Sequence, residues 1–263
     1  MSIATVGDHL VHYEALGRGK PLIFIHGWIG SWRYWWPSMQ TLSAHFRTFA
    51  LDLWGFGDSS RVSGKYTIAE YAALMEGFVE RLGIAEPATI VGHGLGACVG
   101  LRYSARNPSG VARLAAVALP LTGESVNVRI LKGERQAAVE RLMELVHTFP
   151  EVDIEARKTD AAALSALARE LDGLNTVEDL NHVACPLLMI YGDRDPLVQH
   201  PNGEYALEHV TSSDRALVTL ESCMHFPMLE HSAKFDRLIL DFVHADNDLR
   251  HLAPKEYWKR RTH

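Results

Sequence analysis

Residues 88–99 read Ala88-Thr89-Ile90-Val91-Gly92-His93-Gly94-Leu95-Gly96-Ala97-Cys98-Val99. A short β-branched run passes into a glycine-dense stretch and then into small apolar residues, which predicts strand, sharp turn and helix. Glycines at the alternate positions 92, 94 and 96 let a helix begin almost on top of a strand end, where a side chain would clash. The frame is that of G-x-S-x-G, a turn that raises a serine at the mouth of a sheet. The central position is Gly94, however, so the residue such a turn exists to display is missing.

The rest of the composition bounds the answer. At 263 residues, 47% hydrophobic and 22% charged, the chain is predicted to be soluble and globular, with ample apolar surface to bury. A formal net charge of −6 gives no basic footprint, so nucleic acid is not an expected partner. Cys98, Cys185 and Cys223 are widely spaced and odd in number; they form neither a disulfide framework nor a zinc motif and fit a reducing interior. The first residues, MSIATVGDHLVHYEALG, alternate and carry charge without a signal-peptide core, and no later run is long enough for a bilayer. The expectation is a cytoplasmic protein without a membrane partner.

Outward from the turn, strands and helices alternate. Ile3–Val6 and His9–Ala15 flank Gly7-Asp8 as a hairpin. Pro21–Ile25 is a continuous apolar strand of the kind buried on both faces of a parallel sheet, and it runs into His26-Gly27-Trp28. A helix is predicted over Trp36–Ala44, a strand over Phe46–Leu51, and a loop over Asp52–Ser60. Thr67-Ile68-Ala69-Glu70 reads as a capping box opening a helix to about Leu82. Leu114–Leu119 is a strand; from Gly123 to about Val183 the pattern is helical, with Arg135–His147 and Ala161–Leu171 at helical spacing. Strands return at Leu187–Tyr191 and Ala216–Leu220, and a helix over about Ala233–Val243 closes the domain. The fold class is α/β, a mostly parallel doubly wound sheet. Residues 1–120 and 184–250 would form the core, 121–183 a helical cap over the strand ends, and 251–263 a polar surface tail around Tyr257 and Trp258.

Four motifs in this order resemble the α/β-hydrolase fold across nearly the whole chain, in its small cap-bearing branch of esterases, C–C hydrolases and perhydrolases. They are His26-Gly27-Trp28, Asp52-Leu53-Trp54-Gly55-Phe56-Gly57-Asp58-Ser59, the frame around Gly94, and Gly192-Asp193-Arg194-Asp195 with Met224-His225-Phe226-Pro227. The resemblance implies an acid at Asp195 and a histidine at His225, in the order turn, acid, histidine. A carboxylate on the 193–198 loop can accept from a ring N–H, fixing the tautomer and stabilising the imidazolium. The competing reading makes Asp195 only a turn residue before Pro196, and Asp193 is read as a loop or capping residue. His225 would act as general base and then general acid. The other histidines, such as His147, His200, His209 and His244, are read as surface or packing residues.

By the same resemblance, the backbone N–H groups of Trp28 and Leu95 form an oxyanion hole, which needs no serine at position 94. Trp28 is the candidate wall of an apolar pocket; His93 is counted with it on the substrate side, although its place before the turn apex should aim its ring away. Core packing is the better reading for Trp35, Trp36 and Trp54. His26, Asp52 and Asp58 are architectural. Cys98, one turn into the helix, should be buried and inert.

A glycine at position 94 leaves three readings open. The chain is an acyl hydrolase scaffold with its serine replaced, or it uses a His225–Asp195 pair for noncovalent chemistry, or it binds an apolar ligand without turnover. A small apolar substrate or ligand is expected. The sequence carries no metal cluster, dinucleotide fingerprint or P-loop, and no cofactor is expected.

Overall fold

The computed structural model describes residues 2–127, 149–201 and 212–254. Strands β1 (Ser2–Val6) and β2 (His9–Leu16) pair antiparallel across Gly7-Asp8, as the sequence predicts. Strand β3 (Pro21–Ile25) leads through a 3₁₀ turn (Trp32–Trp35) into helix α1 (Trp36–Leu42) and strand β4 (Arg47–Leu51). Helix α2 (Ile68–Arg81), strand β5 (Ala88–His93), helix α3 (Leu95–Arg106) and strand β6 (Val111–Val117) follow. Between β6 and strand β7 (Leu187–Gly192) lie helices α4 (Pro150–Ala156), α5 (Ala161–Asp172) and α6 (Val177–His182). Strand β8 (Arg215–Leu220), a short helix α7 (Pro227–Glu230) and helix α8 (Ser232–His244) complete the described chain. The predicted helix over 135–147, His147, His209 and the tail residues 255–263 lie outside the described residues.

The eight strands form one sheet in the order β1-β2-β4-β3-β5-β6-β7-β8. The β1–β2 and β2–β4 pairs are antiparallel; every other pair is parallel. Every residue of β3, β5 and β7 is buried, as strands covered on both faces require, whereas β8, the last strand, alternates buried and half-buried. Neighbouring β3 residues show the two covers. Phe24 packs on Trp35, which meets Phe235 of α8, while the Ile25 side chain lies near Gly100 of α3. Successive strand residues point to opposite faces, so the α1/α8 layer and the α3 layer flank the sheet.

The segment between β6 and β7 is tied to the core loops by polar contacts. Asp160 N–H donates to Gly55 C=O (2.7 Å) and Tyr66 O–H to the Asp160 carboxylate (2.7 Å). Glu155, fully buried on α4, accepts from Arg33 Nε (2.7 Å) and pairs with Lys158 Nζ (2.9 Å), which also reaches Asp58 (3.3 Å). Arg102 of α3 pairs with Asp179 of α6 at 2.6 Å.

Three local expectations are corrected. The first helix stops at Leu42, where a 3₁₀-like bend takes over. The following strand starts at Arg47 rather than Phe46. The capping box is half formed: Thr67 accepts from Glu70 N–H (3.1 Å), but the Glu70 carboxylate pairs with Lys65 (2.9 Å). A different amide of this first turn, Ile68 N–H, is capped by Glu170 of α5 (2.9 Å), a partner from a distant segment that local sequence spacing does not encode.

Candidate active site

Four loops meet at the carboxyl ends of β3, β5, β7 and β8, the edge at which open α/β sheets bind ligands. The turn between β5 and α3 is a single residue, Gly94, with φ 52° and ψ −110°. Its N–H donates to Val117 C=O (2.8 Å), and its own carbonyl accepts from Ala97 and Cys98 N–H. The neighbouring glycines are there for close approach: a Cβ on Gly92 would collide with the Gly96 carbonyl, and one on Gly96 with the Ile25 carbonyl. Gly94 differs from both. A Cβ there would stand 3.9 Å from Gly27 Cα and 3.9 Å from His225 Nε2, in ordinary contact with its neighbours. Space therefore does not demand glycine at 94; only the left-handed backbone favours it.

The histidine is held from two sides. His225 Nδ1 lies 2.8 Å from Asp195 Oδ2, while Asp195 Oδ1 accepts the N–H groups of Leu197 (2.8 Å) and Val198 (3.2 Å). With Nδ1–H donating to the carboxylate, Nε2 is left as the acceptor on the side of Gly94. The loop carrying His225 is fastened by Glu230 of α7, whose carboxylate accepts Met224 N–H (2.6 Å) and Phe226 N–H (2.8 Å). Asp193 accepts Cys223 N–H (3.0 Å), the loop-capping place predicted for it. Asp195 thus does more than shape a turn.

His26 fixes the loop after β3. Its Nδ1–H donates to Gly27 C=O (2.8 Å) and its Nε2 accepts Leu53 N–H (3.0 Å), as a neutral ring can. Burial pushes its pKa below the usual histidine range, against the raising effects of Asp52 and the Gly27 bond. Asp52, also fully buried, accepts Trp32 N–H (2.8 Å) and Asp58 N–H (3.0 Å) and pairs with His12 Nδ1 (2.9 Å), so the motif is architectural.

These loops and the segment after β6 line a cavity of about 70 Å³. Gly27, Trp28, Gly94, Leu95 and His225 line its floor side, and Pro120, Val126, Leu171, Leu197 and Val198 add apolar wall. Trp28 is at the cavity as expected, and Leu95, the first residue of α3, presents one of the unpaired amides of a helix N-terminus beside Gly94. His93 is among the residues at the cavity, but its ring is buried and both ring nitrogens are engaged by protein, Nδ1 with Tyr34 Oη (3.0 Å) and Nε2 with His225 C=O (2.9 Å). Trp35 and Trp54 are core residues, while Trp36 is only partly buried and packs edge-on against Trp32. Cys98 is buried, and burial raises its thiol pKa far above the ordinary range; that of Cys223 is pushed up to about 12 by the same cause. Neither offers a thiolate nucleophile.

Sequence reading did not single out Tyr34, Val126, Leu171 or Val198. Tyr34 sits inside Trp32-Arg33-Tyr34-Trp35-Trp36, an aromatic run that reads as packing throughout, and the others come from segments whose approach depends on tertiary folding. Among the described residues the nearest approach to a metal-ligand set is His12, Asp52 and Asp58. Burial opposes protonation of His12, but the Asp52 bond and charge, with Asp58 and Glu14, outweigh it and raise its pKa. His12 Nδ1 is already bound to Asp52 Oδ2 (2.9 Å), and the Asp58 carboxylate pairs with Lys158.

Comparison with known proteins agrees with this geometry. The family model described as alpha/beta hydrolase fold matches residues 20–132. The chain is 29% identical to a pimeloyl-[acyl-carrier protein] methyl ester esterase of Neisseria meningitidis, over 85% of this chain and 93% of that one. It is 25% identical to a 2-hydroxy-6-oxo-6-(2'-aminophenyl)hexa-2,4-dienoic acid hydrolase of Metapseudomonas resinovorans, over 92% and 90%. A solved structure of a serine-to-glycine mutant of the N-acyl homoserine lactonase AidH, complexed with N-hexanoyl homoserine lactone, superposes with a TM-score of 0.78 at 22% identity, covering 92% of this chain and 97% of that one. The chain has the α/β-hydrolase fold. Among the described residues, no helix is long and apolar enough to cross a membrane.

Proposed function

We propose that this is the site of an acyl-type hydrolase for a small apolar substrate, built for a Ser-His-Asp triad but carrying Gly94 in the serine's place. The observation that carries the reading is the aim of His225: Nδ1 is held by Asp195, and Nε2 lies 3.9 Å from where a Cβ on Gly94 would stand. A serine hydroxyl there, one bond further on, falls within the about 2.6–3.2 Å reach of a general base.

With glycine at 94 no acyl-enzyme forms. The chemistry left to the site is direct. The substrate carbonyl lies against the backbone N–H groups of Trp28 and Leu95, which receive the developing oxyanion. His225 Nε2 takes a proton from water as its oxygen bonds to the carbonyl carbon. The tetrahedral intermediate then collapses, and the same proton passes to the leaving oxygen. Asp195 keeps the ring in the productive tautomer and balances the imidazolium. The segment 121–183 serves as the cap, and its Val126 and Leu171 contribute to the wall. A cavity of about 70 Å³ is under half the roughly 150 Å³ that holds a benzene ring, so the enclosed part of the substrate is a short acyl group. The named esterase and dienoic acid hydrolase relatives support this reading.

The test is Gly94→Ser assayed on short-chain activated esters. Removing the serine of such a triad lowers kcat by about 10⁶-fold, while about 10³–10⁴-fold over water survives in oxyanion hole and binding. Gly94→Ser should therefore show a gain of several orders of magnitude with a burst of acyl-enzyme. A folded Gly94→Ser protein with neither gain nor burst overturns the reading.

A further inference from the structure

Beside the cavity runs a chain of buried hydrogen bonds that the proposed reaction does not use. Gly27 N–H donates to Tyr34 Oη. Tyr34 Oη lies 3.0 Å from His93 Nδ1, and His93 Nε2 lies 2.9 Å from the backbone carbonyl of His225. Tyr34 and His93 are both about 1% exposed, so these groups have no solvent to fall back on. The donor count leaves one arrangement. The His225 carbonyl can only accept, so His93 carries its proton on Nε2; Nδ1 must then accept, and Tyr34 O–H supplies that proton while its oxygen receives Gly27 N–H.

The chain starts one residue before Trp28, passes through the last residue of β5, one before Gly94, and ends on the backbone of His225. It links the three loops on which the proposed chemistry depends. The packing agrees: the Tyr34 ring is wedged against Gly30, where a Cβ would collide with it, and a Cβ on Gly27 would meet His93 Nδ1 at 2.9 Å. The His93 and His225 rings lie 4.5 Å apart. A charged His93 would oppose the positive charge that His225 takes up during turnover, and burial, reinforced by His225 itself, holds the His93 pKa well below the usual range.

We infer that Tyr34 and His93 form a brace setting the distance between the oxyanion loop and the histidine loop, and that they are positioning residues for this site. The catalytic consequence rests on the hydrolase reading; the brace itself does not.

The experiment has two arms. In the unaltered chain, nitrogen NMR of the His93 ring at neutral pH should show a neutral ring with the proton on Nε2. A proton on Nδ1, or a charged ring, overturns the brace. In the Gly94→Ser background, Tyr34→Phe removes one oxygen, orphaning Gly27 N–H and His93 Nδ1. It should lower kcat by about 10–100-fold, the effect of a misplacement near 1 Å, with little change in KM and a folded near-UV spectrum. His93→Gln, which keeps an amide donor for the His225 carbonyl, should retain more kcat than His93→Leu. An unchanged kcat in Tyr34→Phe overturns the positioning role. Should Gly94→Ser itself stay inactive while the NMR arm gives the Nε2–H ring, the hydrolase reading falls and the brace stands.

Discussion

Replacing each of two glycines of the same turn by alanine should give very different losses of stability. At Gly94 the new Cβ meets nothing closer than 3.9 Å, so the cost is conformational alone. A non-glycine residue held at φ 52°, ψ −110° is strained by about 1–3 kcal/mol. Against this, the unfolded chain loses freedom when glycine becomes alanine, which returns about 0.4–1 kcal/mol. The net loss for Gly94→Ala is thus at most about 2.6 kcal/mol, with a central value of about 1.3 kcal/mol, or a fall in Tm of about 3–5 °C at that central value. At Gly96 the same Cβ would run into the Ile25 and His26 carbonyls, and neither can move without shifting β3 away from α3. That overpacking should exceed about 3 kcal/mol or prevent folding. Urea unfolding of the parent and the two variants at neutral pH reads both numbers. Equal losses from Gly94→Ala and Gly96→Ala would refute the claim that position 94 has room for a side chain.

Two further outcomes follow from buried charge. His26 and His93 are neutral in the fold, with pKa values lowered by burial, whereas unfolded histidines bind a proton below about pH 6.5. The unfolded state then holds more protons, so stability falls as pH drops from about 6.5 toward their folded values. His12, raised in the fold, contributes with the opposite sign: its share is complete below about 6.5 and fades as pH rises through its folded value. Urea midpoints at pH 5 and 7 should differ less in His93→Gln than in the parent; an unchanged difference removes His93 from this account. Glu155→Gln leaves Arg33 and Lys158 without their shared buried carboxylate. Both cations are more than a third exposed, so the expected loss is about 1–2 kcal/mol rather than the about 3–5 of a fully buried pair. A loss below about 0.5 kcal/mol in thermal unfolding would count against the network as a fastening.

The parts of this molecule legible in its sequence are those written in local code. Pro21–Ile25 and Leu187–Gly192 announce buried strands because every residue is apolar or small, and the glycine spacing of 92–96 announces the tight turn. The Asp195 and His225 pair is legible because each sits in a short motif directly after a strand, and strand ends converge by topology. Glu170 capping α2 is not legible, since it arrives from about a hundred residues away, while Glu70 turns to Lys65 rather than back to the cap. Tyr34 is hidden by its neighbours: nothing in an aromatic run marks which hydroxyl is paired with a histidine. The place of His93 before the turn apex gives a direction for the ring but says nothing of its two hydrogen bonds.

The strand order has a bearing on how this site is made and lost. From β5 onward the sheet grows in chain order along one side, so Asp195 and His225 ride on the loops after its two outermost strands, β7 and β8. The turn at Gly94, by contrast, belongs to the sheet's interior, between β3 and β6. The half of the site that moves protons therefore lies toward one edge of the sheet, where local opening is expected to cost less than in its interior. Hydrogen exchange should find the amides of β8 opening at lower free energy than those of β5, with the acid–histidine pair separating while the oxyanion side is still folded.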